Sequence, residues 1–159
     1  MFRFNKSTFL TACAAGLFSA SLLAGGFFIT LGNPAASHDP QAQGAVLLVR
    51  PDGCIKPVGA KVEGSAVGVV GGQRRTIALT LVPLAAPGTY AVMHQWPSEG
   101  RWVLRFTARI DSLTTSALVP ADAEGVHREA AKSYRNTPPA DAVDAMLQAS
   151  AGAQLAARQ

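Results

Sequence analysis

Three patterns of hydrophobic and polar positions follow one another along the chain. Residues 7–37 carry no charge, are mostly apolar and show no alternation. From Gly44 to about Val119 apolar and polar residues alternate, with turn-forming residues at short intervals. Beyond Pro120 the apolar spacing lengthens to the three and four of a helix. An unbroken apolar run suits hydrocarbon, alternation suits a strand with one buried face, and a period near 3.6 suits an amphipathic helix. These patterns divide the chain into a signal peptide or N-terminal membrane anchor at 1–37, a β-body at 38–120 and a helical or disordered tail at 121–159.

Within the body, residues 45–50 read as a strand stopped by Pro51-Asp52-Gly53. The clearest element is a hairpin in which 61–70 and 73–82 flank Gly71-Gly72, since glycine takes the positive φ angles of a tight turn without steric cost. Folding about that pair sets Ala66 opposite Ile77, Gly64 opposite Leu79 and Val62 opposite Leu81 on one face. Glu63, Ser65, Thr76 and Thr80 fall on the other, the division a half-buried antiparallel pair requires. A second hairpin is expected about Pro97-Ser98-Glu99-Gly100, with Trp96 near Trp102 and Val92 near Phe106. It leaves Arg101, Arg105 and Arg109 with Thr107 on a wet face, and a last strand is expected over 113–119. Six or seven short antiparallel strands predict an all-β fold, a two-layer β-sandwich.

Charge and composition sharpen the two flanks. Arg3 and Lys6 precede the apolar stretch. Positive charge there holds that end in the cytoplasm and directs the rest outward, so the chain is expected to be exported, periplasmic or extracellular. Pro34 breaks any helix, and Ala35-Ala36-Ser37 offers the small residues a signal peptidase accepts. The apolar tract is longer than an ordinary signal core and close to spanning length, so cleavage after Ser37 and retention as a membrane anchor through residues 8–31 both stay open. Leu10-Thr11-Ala12-Cys13 has the composition of a lipobox, but too little apolar sequence precedes Cys13, which reads as a small apolar residue of the leader.

In the tail, Asp122 is expected to cap a helix through Arg135, with Val126, Ala130 and Tyr134 on one stripe, ended by Thr137-Pro138-Pro139. Asp141 is expected to cap a second helix with Val143, Met146, Leu147 and Ser150 along one side. Neither stripe is wide enough to fold alone, so the tail is expected to be mobile or docked.

The run Pro87-Gly88-Thr89-Tyr90, followed by Trp96-Pro97-Ser98-Glu99-Gly100-Arg101-Trp102, resembles the PG-x-Y … P-x-x-G-x-W pattern of YtkA-like and FixH-like exported immunoglobulin-like domains, over about residues 45–109. The resemblance implies an immunoglobulin-like β-sandwich on the outer side of the cytoplasmic membrane, in some members linked to respiratory oxidases or metal handling. It carries over no catalytic residue and does not reach the C-terminal tail.

The chemistry is sparse. Charged residues make up 15% of the chain, too few for a disordered polyelectrolyte, and two Cys supply neither a disulfide scaffold nor a zinc cluster. The net charge of +4 includes Arg3 and Lys6, and no basic stripe remains without them, so no nucleic-acid partner is expected. Gly64-Ser65-Ala66-Val67-Gly68 lacks the spacing of a nucleophile elbow, no glycine-rich phosphate turn or HExxH occurs, and the carboxylates are scattered singly. No enzyme and no cofactor are therefore expected. The alternative is copper. Cleavage after Ser37 makes His38 the mature terminus, whose amine and imidazole can hold one copper ion, with His94 or His127 as a further ligand. Alternation sends Met93 and His94 to opposite faces, so they cannot share an ion in a regular strand. Cys54, the one thiol beyond the leader, either pairs between chains, is buried as a small apolar residue, or reacts. The turns at 51–54 and 97–101 present Asp52, Cys54, Glu99 and Arg101 as candidate partner contacts. The expected function is a non-enzymatic binding or accessory module of a bacterial-type cell envelope, with an envelope protein as partner. Copper handling in the periplasm and a small membrane-anchored accessory subunit are the alternatives.

Overall fold

Alternation along most of this chain produces strands, and the strands form two sheets. The computed structural model describes residues 26–53 and 57–156. In chain order the strands are β1 (Phe27–Gly32), β2 (Ala45–Gly53), β3 (Lys61–Val70), β4 (Gln73–Leu79), β5 (Leu81–Pro83), β6 (Tyr90–Met93), β7 (Arg101–Ile110), β8 (Leu113–Asp122), β9 (Gly125–Val126) and β10 (Lys132–Tyr134), followed by helix α1 (Ala142–Ala156). A four-stranded sheet runs β1-β2-β6-β5, and a six-stranded sheet runs β10-β8-β7-β3-β4 with β9 paired to the end of β8. Every pairing is antiparallel. The coarse expectation, an antiparallel β protein, holds.

The sheets share one apolar core. Phe27, Ile29, Leu47, Val49 and Val92 come from the four-stranded sheet, and Ala66, Leu79, Trp102, Leu104, Phe106 and Val119 from the other. Leu47, Val49, Val92, Leu104 and Phe106 are fully buried. Each large side chain removed from water in this way stabilises the fold by roughly 1.5–3 kcal/mol.

The body begins earlier than expected. β1 pairs with β2 over its whole length, from Phe27 opposite Gly53 to Gly32 opposite Leu48, and packs against β7, β8 and β10 of the other sheet. Residues 27–31, which the expected anchor at 8–31 included, therefore belong to a sheet. Ala35 and Ala36 of the expected cleavage sequence lie in a 3-10 turn, Pro34–Ala36, capped by the Asn33 side chain. The outward position Phe28 is apolar like its buried neighbours Phe27 and Ile29, so no polar residue marks an outer face and the strand reads as a continuation of the apolar sequence before it. Residues 1–25, with Arg3, Lys6 and Cys13 of the expected leader, lie outside the described residues. Among the described residues no helix is long and apolar enough to cross a membrane.

The hairpin about Gly71-Gly72 forms with the expected register, Ala66 opposite Ile77 and Gly64 opposite Leu79, and both glycines have positive φ. Val62 does not meet Leu81. β4 ends at Leu79, and Leu81 pairs with Val92 in the other sheet. At the crossover Thr80 gives its backbone N–H to Gln95 Oε1 (2.8 Å) and receives Gln95 Nε2 at its carbonyl (2.9 Å), so a side-chain amide replaces the strand partner. The expected hairpin about Pro97–Gly100 is absent, because β6 joins β2 and β5 while β7 joins β3 and β8. Trp96 and Trp102 are still both buried in the shared core.

The tail divides. No helix forms between Asp122 and Arg135; β9, a 3-10 turn at Arg128–Ala130 and β10 take its place, and β10 adds an edge to β8. The second helix exists as α1 and is docked. Val143, Met146 and Leu147 pack on Val67, Val103 and Leu118, on the face of the six-stranded sheet turned away from the core. Arg74 of β4 pairs with Asp144. Asp141 contributes its backbone carbonyl, which accepts from Ala145 N at 2.9 Å.

Candidate functional site

α1 covers only part of that outer face. Where it stops, side chains of β3 and β7 and the segment ahead of α1 enclose an open polar cleft of about 200 Å³. Its lining is Glu63, Gly64 and Ser65 of β3, Arg105, Thr107 and Arg109 of β7, and Thr137 with Pro138 from the connection to α1. The register explains the grouping: Ser65 stands opposite Arg105 and Glu63 opposite Thr107. Period-two alternation then points every second residue of β7 outward, which is the wet face the sequence predicted for Arg105, Thr107 and Arg109. Val103, on the same face, is dry because α1 sits on it.

The charges in the cleft are partly paired. Glu63 accepts from Arg109 Nη1 (3.1 Å) and lies 3.1 Å from Lys61 Nζ. Lys61 first, then Arg109, hold the Glu63 carboxyl below its usual range. Thr107 Oγ1 and the fully buried Ser116 share a hydrogen bond at 3.3 Å. The Arg105 guanidinium has no ion-pair or hydrogen-bond partner among the described residues.

Among the described residues, none of the sequence-predicted site residues lines this cleft. His38 is exposed between two 3-10 turns. His94 is exposed too, with its ring edge-on to Trp96 at 4.7 Å. Neither belongs to a ligand cluster among the described residues. No turn forms at Pro51-Asp52-Gly53, because β2 runs on to Gly53 in pairing with β1. Asp52, opposite Phe28, accepts from Gly53 N (2.9 Å) and Arg50 Nη2 (2.7 Å), and these contacts, the backbone one first, lower its pKa. Glu99 is exposed and serves through its carbonyl, which accepts from Trp102 Nε1 at 2.9 Å. Arg101 opens β7 half-buried. No hydrogen bond or ion pair joins Asp52 to Glu99 among the described residues. Cys54 lies outside the described residues.

One group escaped the sequence reading. Asp122, Glu124 and His127 stand around the β8–β9 turn with ligand atoms within 4.8 Å of one another. Asp122 Oδ1 accepts from Glu124 N at 2.9 Å and lies 3.0 Å from His127 Nε2, while His127 Nδ1 is 3.5 Å from Glu129. These bonds close the turn, and Asp122-Ala123-Glu124-Gly125 was its readable signal. The hydrogen bond that the His127 ring donates to Asp122, against a smaller opposing effect of burial, raises the His127 pKa above its ordinary value. A histidine stabilised in its charged form contributes fully below the unfolded value and loses that contribution as pH rises through the folded one. The urea midpoint is therefore expected to fall from about pH 6 to about pH 8.5 more steeply in the native protein than in His127→Gln. Equal slopes would show that the imidazolium does not hold the turn.

Comparison of the chain with protein-family models, curated proteins and solved structures finds no match.

Proposed function

We propose that this chain is an exported, non-enzymatic immunoglobulin-like β-sandwich that serves a bacterial-type cell envelope as a binding or accessory module, engaging its partner through the Arg105–Arg109 cleft. The cleft is the observation that carries this reading. It is a concave polar surface on a sheet whose opposite face is the core, so it can be filled without disturbing the fold. Among the described residues its lining offers guanidinium groups, hydroxyls and one carboxylate, which hold and orient a ligand, and no imidazole or thiol. Export draws support from Arg3 and Lys6 ahead of an uncharged apolar stretch, and the YtkA-like and FixH-like resemblance implies the same location.

The membrane-anchored subunit is a form of the same reading. If the leader is retained, only Gly26 and its immediate predecessors separate apolar sequence from the sheet, which holds the module against the membrane face. Copper handling through His38 and His94 draws no comparable support.

A photo-reactive residue placed at Thr137, on the cleft rim, is expected to give a covalent adduct with an envelope component in producing cells. The same residue at Val58, which is exposed but does not line the cleft, is expected to give none. Recovery of the protein from the cytosol with Met1 intact and no adduct at either position would remove the proposal.

A further inference from the structure

We infer that the cleft receives a single peptide carboxylate at Arg105, from an acidic peptide ligand that is otherwise uncharged where it lies in the cleft. This deepens the binding-module reading and rests on it. The argument begins with pairing. Arg109 and Lys61 share Glu63, and Thr107 shares a hydrogen bond with Ser116, whereas the exposed Arg105 guanidinium has no partner among the described residues. Its planar fork matches the two oxygens of a carboxylate.

Charge then fixes the valence. The cleft already contains one carboxylate, Glu63, stabilised in its ionised form by Lys61 and Arg109. Of the charged residues that line the cleft, Glu63 offsets one of the two guanidinium groups of Arg105 and Arg109, which leaves one positive charge for a monoanion to neutralise; Lys61 stands outside the lining. A phosphate dianion adds a second negative charge beside Glu63, and like charges this close repel.

The rim narrows the rest of the ligand. Ser65, opposite Arg105 on β3, and Thr137, from the connection to α1, add hydroxyls to the lining of the same cleft, able to donate to a carbonyl and accept from an amide. Among the described residues no aromatic ring lines the cleft, so a sugar has no stacking face there, while a peptide needs none.

The test uses the purified full chain, in detergent, with amide chemical shifts followed by NMR. N-acetylalanine is the probe, and N-acetylalaninamide, glucuronate and inorganic phosphate are its comparisons. Saturable shifts centred on Ser65, Arg105 and Thr137 are expected with N-acetylalanine, weaker ones with glucuronate and phosphate, and none with the amide. Arg105→Gln is expected to weaken N-acetylalanine binding by about tenfold or more, the scale of a lost charge-assisted pair. Arg75→Gln, exposed on β4 and outside the cleft, is expected to leave it unchanged. Tighter binding of phosphate or glucuronate, equal losses in the two variants, or no saturable shift would overturn the inference. An absent carboxylate response with the Thr137 adduct still formed discards the peptide carboxylate and keeps the module; loss of both discards the module.

Discussion

A chain beginning at His38 is expected to lose most of the stability of one beginning at Gly26. The missing residues include β1, whose Phe27 and Ile29 are 9% and 5% exposed and sit in the shared core. Returning those two side chains to water alone costs roughly 3–6 kcal/mol. The six-residue ladder with β2 is lost as well, leaving β2 as a raw edge. A whole domain is typically stable by about 5–15 kcal/mol, so the truncated chain stands near or below the folding threshold. Urea titrations of the two chains followed by tryptophan fluorescence measure this directly, and superimposable curves would show that β1 is dispensable. The consequence reaches the copper alternative. A mature terminus at His38 and a complete four-stranded sheet cannot coexist in one molecule. Ala24-Gly25-Gly26, small residues directly ahead of β1, are where a peptidase can cut and leave the sheet whole. Terminal sequencing of exported material is accordingly expected to give Phe27 after cleavage, or Met1 with the leader retained, and not His38.

β1 also shows what kind of information the sequence held. Alternation reports which face of a strand is apolar, and it gave the register from Gly64 to Ala66 against Leu79 to Ile77 because two glycines fixed the turn. It does not report which strand lies alongside. Tyr90–Met93 and Arg101–Ile110 both turn apolar residues toward one core, so the sequence reads as a hairpin although the strands belong to different sheets. The break at Thr80 depends on Gln95, fifteen residues away, and no local pattern announces it. Residues 126, 130 and 134 have helical spacing, yet pairing of Lys132–Tyr134 with β8 overrides that preference.

The candidate site was half legible for the same reason. The outward row of Arg105, Thr107 and Arg109 follows from alternation alone. The pairing of Glu63 with Arg109 needs the β3–β7 register, which joins residues 46 apart. The rim from Thr137 and Pro138 needs the docking of α1. Val143, Met146 and Leu147 marked an apolar stripe on that helix, but nothing in the stripe named Val67, Val103 and Leu118 as its seat.

Gly68→Ala is expected to be among the most damaging single-methyl additions in the protein. Gly68 lies within β3 opposite Trp102 of β7. A Cβ there would stand 2.4 Å from two indole carbons and 2.7 Å from the Arg101 carbonyl oxygen. Trp102 is 1% exposed, and its Nε1 is tied to the Glu99 carbonyl at 2.9 Å, so the ring cannot swing aside without leaving its cavity and breaking that bond. Overpacking of this kind costs about 1–3 kcal/mol and the lost hydrogen bond about 0.5–1.5 kcal/mol more. Trp102→Ala is expected to cost about 3–5 kcal/mol through the cavity it opens. In that background the added methyl no longer meets an indole, and only the Arg101 carbonyl still opposes it. The two losses should therefore fall short of additivity by about 1 kcal/mol or more, the coupling that residues in direct contact show. Denaturation of the four proteins in the cycle measures the coupling, and strict additivity would mean that strain at the backbone, not the indole seated on Gly68, sets the cost.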